Sequence, residues 1–165
     1  MTDSNAWLGQ VAQKLAANGY NAMPPEKYQP QNFKYAAHRS RFELSKFGVA
    51  EYFFTFAEIP NLNIGILQQL SAVSFQFAKA NKSSSLPDGL FASTFSFAVA
   101  ITANVPAEFA NYIHATAPTK HFSAFEISAV LDLTNGGLYY FQGTPLWGAA
   151  YYKGFRREIE ANLVV

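Results

Sequence analysis

The chain contains no cysteine. That excludes a disulfide framework, a zinc–thiolate or iron–sulfur centre and a thiol nucleophile, and it fits a cytoplasmic protein. Charge is scarce as well: 14% of the 165 residues are Asp, Glu, Lys or Arg, against about 25% in an average soluble domain. The net charge is +1, without the basic excess that a dedicated nucleic-acid binder carries. No apolar run reaches the length of about 18 residues needed to span a bilayer as a helix, so no membrane segment is expected. The longest candidate, LFASTFSFAVAITANV, is broken by Ser and Thr and alternates like a strand. The start, MTDSNAWLGQVAQ, carries Asp3 and has no apolar run behind a basic segment, so it does not read as a signal peptide.

Catalytic signatures are missing too. There is no G-x-S-x-G elbow, no phosphate loop and no three-glycine dinucleotide turn. The three histidines, His38, His114 and His121, lack the one-turn spacing around a glutamate of a helical zinc protease. His114 and His121 precede Glu126, but their spacing matches no standard metal-ligand pattern and reads as a helix-end and a loop histidine. Asp88, in LPDGLF, precedes a strand, yet no D/E-x-K triplet follows it as metal-dependent nucleases require, so PDG reads as a turn. No cofactor and no metal are expected.

What the chain has in quantity is apolar and aromatic surface. Half of its residues are apolar, and 16 Phe, 9 Tyr and 2 Trp are present. Aromatic side chains bury large areas and favour strands. A chain of this length suits one domain, 1–165, that buries about two-thirds of its unfolded surface without a staple.

Periodicity supplies the elements. Leu8, Val11, Ala12 and Leu15 share one helical face over residues 5–18, with Trp7 beside it and Gly19 at the close. Residues 19–32, with three prolines, read as a connecting loop. A half-exposed strand over 38–46 puts Phe42 and Leu44 opposite Arg39, Arg41 and Glu43. Gly48 turns it into a second strand with Tyr52, Phe54 and Phe56 on one face. Ile66, Leu70, Val73 and Phe77 then mark a helix. The next strand sets Phe91, Phe95, Phe97, Val99 and Ile101 against Ala92, Thr94, Ser96, Ala98, Ala100 and Thr102. Its small-residue face predicts a central position. A short helix over 106–114 and a loop, APTKHF, lead to a strand with Phe125, Ile127, Ala129, Leu131 and Leu133 inward. Asn135-Gly136-Gly137 predicts a tight hairpin into LYYFQ, and Thr144-Pro145 predicts the start of the last helix. Tyr151, Phe155, Ile159 and Leu163 line that helix on one face. The sum is an α+β or mixed α/β domain: a five-stranded mixed sheet with helices packed on it, in the order α-β-β-α-β-α-β-β-α.

Candidate functional residues follow from chemistry rather than motif. Tyr139, Tyr140, Trp147, Tyr151 and Tyr152 form an aromatic set with polar tips, a composition enriched at interfaces and pockets. An enclosed pocket of that kind is expected near Glu126, Tyr140 or Trp147; Asp132, on the same strand face as Glu126, is about 20 Å away along an extended chain, too far to form an acid/base pair with it. His38, Arg39 and Arg41, with Lys46 nearby, could meet an anion. A second basic cluster, Lys153, Arg156 and Arg157, is mixed with Glu158 and Glu160 and reads as a solvated helix face. These observations predict a non-catalytic protein that acts through a protein partner or through self-association, a homodimer included. The alternatives are a small-molecule-binding protein or enzyme with an aromatic pocket between sheet and helix, and a nucleic-acid-associated factor, against which the charge balance speaks.

Overall fold

The computed structural model describes residues 2–43, 48–85, 89, 91–146 and 148–165. Among them, five α-helices and seven strands form a mixed α/β fold. The helices are α1 (Ser4–Ala17), α2 (Pro25–Tyr28), α3 (Ile64–Asn81), α4 (Ala107–Ala115) and α5 (Ala149–Leu163). The strands are β1 (Asn21–Ala22), β2 (Tyr35–Glu43), β3 (Gly48–Glu58), β4 (Ala92–Thr102), β5 (Thr119–His121), β6 (Ala124–Asp132) and β7 (Leu138–Tyr140). The sheet runs β1-β2-β3-β4-β6-β5, and β7 shares the outer edge of β6 with β5. β3, β4 and β6 are parallel neighbours; β2, β5 and β7 join them antiparallel.

The strand faces explain the layers. Tyr52, Phe54 and Phe56 of β3 stand beside Phe95, Phe97 and Val99 of β4 and Phe125, Ile127 and Ala129 of β6, row by row. Tyr52 stacks on Phe95 at 5.0 Å and Phe54 on Phe97 at 4.5 Å. α1 and α5 cover this aromatic face with Val11, Leu15, Phe155, Ile159 and Leu163. The two parallel crossovers step the same way along the sheet, which places α3 and α4 together on the opposite face. There the sheet offers Thr55, Ala57, Thr94, Ser96, Ala98, Ala100, Thr102 and Val130, all buried. Small side chains let α3 lie close, and it presents Ser71, Ser74 and Ala78 in return. Thr55 donates its hydroxyl proton to Ser74 Oγ at 2.7 Å, so part of this contact is polar.

Several expectations change. Two short edge strands, β1 and β5, raise the strand count from five to seven; β5 falls within the stretch APTKHF, expected to be a loop. The proline-rich stretch is not all loop: Pro25 occupies the first turn of α2, where its missing N–H costs nothing. On the expected α3 face Leu70 and Phe77 are buried, together with Leu67, Ser71, Ser74 and Phe75, whereas Val73 points outward at 36% exposure. Phe91 and Phe42 are exposed, being at strand ends beyond the covering helices. β2 begins at Tyr35 and is described to Glu43; Leu44 and Lys46 lie outside the described residues. β7 stops at Tyr140, and α5 starts at Ala149 rather than at Thr144-Pro145. Gly148, in the left-handed region at φ 88°, makes that entry, while the Gln142 N–H bonds to the His114 carbonyl and draws the chain off the sheet. The hairpin glycine, Gly136, has φ 71°, and Gly137 N–H is held by Asn135 Oδ1 at 2.6 Å.

Neighbouring β4 residues on opposite faces give a test. Phe97→Ala, in the centre of the aromatic rows, should cost about 3–5 kcal/mol in denaturant unfolding. The Ser96 hydroxyl is buried and has no hydrogen-bond partner among the described residues. Ser96→Ala should therefore leave stability unchanged or raise it by about 1 kcal/mol.

Candidate functional site

The strand alternation that builds the core also sorts the candidate residues. His38 faces α3, whereas Arg39 and Arg41 face the α5 side. His38 stacks on Phe53 at 4.4 Å and hydrogen-bonds through Nε2 to Glu51. Glu51 is fully buried and also accepts from the Ser83 hydroxyl and the Ser84 N–H, both at 2.8 Å. Burial alone would push this carboxyl up; the hydrogen bonds from His38, Ser83 and Ser84 outweigh it and hold it below its ordinary value. The cluster ties the end of α3 to the sheet.

Arg39 is enclosed. Its guanidinium lies 4.4 Å from the Tyr20 ring centre and 4.9 Å from that of Tyr52. It donates to Glu158 Oε1 at 2.6 Å and to the Asn18 carbonyl at 2.9 Å. Tyr20 donates its hydroxyl proton to Glu158 Oε2 at 2.8 Å; burial first, and the Glu158 charge second, push its phenol up. Arg39 thus joins β2, the loop after α1, and α5.

Arg41 lies beyond this lock, 55% exposed, with Glu43 Oε1 at 3.7 Å. With Tyr52, Tyr151, Gly154, Phe155 and Arg157 it lines a groove of about 520 Å³ between the β2–β3 end and α5. Tyr151 also borders a second hollow of about 200 Å³, lined by Phe95, Lys120, Phe122 and Phe125. The two hollows meet at Tyr151. In their lining Phe122 is 79% exposed and Tyr151 42%. The carboxylates of the groove are engaged inside the protein. Glu43 accepts from the Tyr52 hydroxyl, and Glu158 from Tyr20 and Arg39. Among the described residues, Lys120 and Arg157 have no ion-pair partner.

The other aromatic candidates divide between the faces. Tyr152 is buried against Phe125 and Phe141. Tyr140 donates to Glu160 Oε1 at 2.8 Å on the α5 side, and burial raises its phenol with help from that carboxylate. Tyr139 is on the opposite side, its ring 5.7 Å from His114. Trp147, Lys46 and Asp88 lie outside the described residues. Glu126 faces α3 and α4, where a cavity of about 130 Å³ is lined by Gln68, Ser71, Tyr112, Ser128 and Phe141, among others. Its oxygens accept from His121 at 2.7 Å and from Ser71 at 3.1 Å. His114 takes no part in that group, and among the described residues no three acidic or histidine side chains are placed to share a metal ion. Asp132 accepts from the N–H groups of Val105 and Thr134 and so fixes the loops at the far end of β6.

Residue chemistry alone did not single out Phe122, Lys120 or Glu51. The signal for Glu51 was present: a carboxylate alternating with Phe53 and Thr55 in a strand with apolar residues on both faces. No helix among the described residues is long and apolar enough to cross a membrane. No protein-family model, curated protein or solved structure matches the chain.

The Glu51 cluster sets a pH dependence. Its folded-state carboxyl titrates below the ordinary value of 4.5, so its contribution to stability is complete above that value and is lost as pH falls through the folded value. Glu51→Gln should be less stable than wild type at neutral pH and should lose less of its stability on acidification. Urea midpoints measured at neutral pH and near pH 3 check this; parallel losses in both proteins would contradict it.

Proposed function

We propose that this chain is a non-catalytic interaction protein whose groove along α5 takes an acidic, aromatic segment of a partner protein. The observation that carries the reading is the pairing of exposed aromatics with unneutralised cations along one groove. Phe122 and Tyr151 offer apolar surface, and beside it stand Lys120 and Arg157, which have no ion-pair partner among the described residues, together with Arg41, exposed next to Glu43. Exposed apolar surface of this kind marks interaction sites, and the charge chooses the partner. Glu158, which would otherwise balance the cations, is spent on Tyr20 and Arg39, and Glu43 is shared between Tyr52 and Arg41. A second copy docking through the same groove would set like charges against each other, so an acidic partner is the better occupant.

A fluorescent peptide in which phenylalanines alternate with glutamates is the probe. It should bind with an affinity that falls as salt rises, and a lysine-for-glutamate version should not bind. Tyr151→Ala and Arg157→Glu should each weaken binding by about tenfold, equivalent to about 1.4 kcal/mol. Binding that neither variant changes would overturn the assignment. Dimerisation abolished by Tyr151→Ala would assign the groove to a second copy instead.

A further inference from the structure

The cavity at Glu126 lies where the sheet edge is interrupted. β5 pairs with β6 only as far as Glu126, opposite Thr119. β7 begins its pairing at Ala129, opposite Tyr140. One more pair in either register would bring Ala117 or Phe141 to Ser128; both leave the ladder and line the cavity instead. Asp132 N–H bonds to the Gly137 carbonyl on this edge. Alternation along the strand puts the N–H and C=O of Ser128, four residues earlier, on the same edge. Neither β5 nor β7 pairs with them. The cavity therefore combines a carboxylate with one free rung of a β-ladder, two residues apart on β6.

We infer that this cavity is a binding site for the N-terminal residue of a peptide. The α-ammonium would sit on the Glu126 carboxylate, and the first peptide unit would pair with the backbone of Ser128. Each carboxylate oxygen already accepts one hydrogen bond, from His121 or from Ser71, and keeps a further lone pair for a donor. Among the described residues the lining contains no lysine or arginine, so an ammonium is the charge that complements the site, while a free carboxylate would find no cation to pair with and would lie close to Glu126. That favours a peptide over a free amino acid. The hydroxyls of Ser71 and Tyr112 and the amide of Gln68 surround the position, and Leu67, Ile113 and Pro118 supply the apolar wall. A volume of about 130 Å³ equals about four waters, room for one small residue. The recognition combines terminal-amine capture with strand addition; the site is a separate cavity from the groove along α5, although His121 borders both the Glu126 carboxylate and the hollow at Tyr151.

Alaninamide, N-acetylalaninamide, alanine and propylamine, titrated while the Ser128 amide is followed by NMR, form the test. Alaninamide should shift that resonance and bind; acetylation, which removes the charge, should weaken binding by about tenfold or more. Alanine and propylamine should each bind more weakly than alaninamide, the first for its unpaired carboxylate and the second for its missing amide. Glu126→Gln should lower alaninamide affinity by about tenfold with an unchanged circular dichroism spectrum. Ala117→Leu, at an exposed wall position, should block the cavity while leaving the carboxylate intact. Equal binding of the acetylated compound, or a Ser128 amide that no compound moves, would overturn the assignment. Propylamine binding as tightly as alaninamide would overturn its peptide part.

Discussion

The sheet of this protein is built on a division of size between its two faces. Rings stand in register across β3, β4 and β6 on one side, from Tyr52 through Phe95 to Phe125 and from Phe54 through Phe97 to Ile127. The other side of the same strands carries mostly Ala, Ser and Thr, with Phe53, Val130 and three buried or half-buried carboxylates, Glu51, Glu126 and Asp132, among them. Parallel strands with both faces covered need apolar or hydrogen-bonded residues throughout, and here the two faces meet that need differently. The ring face demands large side chains from α1 and α5. The small face demands a helix that can come close, and α3 does so with Ser71, Ser74 and Ala78. Most of the polar groups that closeness buries are satisfied locally, Ser96 and Thr102 excepted. The Thr55–Ser74, Glu51–His38–Ser83 and Glu126–Ser71 contacts are the result.

The two proposed sites lie where this division runs out. Near the starts of β4 and β6, Phe91 and Phe122 precede the strands and meet solvent, and so does Tyr151 in the first turn of α5. On the small face, the row that contains Ser96 and Glu126 reaches the sheet edge, and a carboxylate opens into a cavity. Both candidate sites are therefore margins of the core rather than additions to it.

The long elements were legible because their burial patterns are periodic. β3, β4 and β6 alternate over nine or more residues, and α1 keeps Trp7, Val11 and Leu15 on one face. Strands β1 and β5, with two and three residues, are too short to show any period; they form because a neighbouring strand offers an open edge. The start of α5 was misplaced because Thr144-Pro145 resembles a cap locally, while a tertiary bond from Gln142 to His114 decides the path. Among the site residues, Tyr151 and Arg41 were visible as types, but their meeting across the groove was not. That Arg39 is locked between two tyrosines while Arg41 remains accessible depends on Glu158, more than a hundred positions away in the chain. Glu126 was legible as a carboxylate on the right strand, and the interrupted edge beside it was not.

The long inner strands carry a hazard in their composition. Segments such as EYFFTF and TFSFAVAIT combine high strand propensity with little charge, the features of chains that stack into fibrils. The native sheet offers a newcomer little to extend. The outer edge of β2 is paired to β1 over two residues and beyond that presents Arg39, Ser40, Arg41, Phe42 and Glu43, where four polar or charged positions around one exposed Phe discourage a further strand. The opposite edge is divided by β5 and β7 into pieces of three residues with one rung between them. A single rung can hold the end of a chain but cannot template a strand, so the same interruption that opens the Glu126 cavity also keeps the sheet from growing.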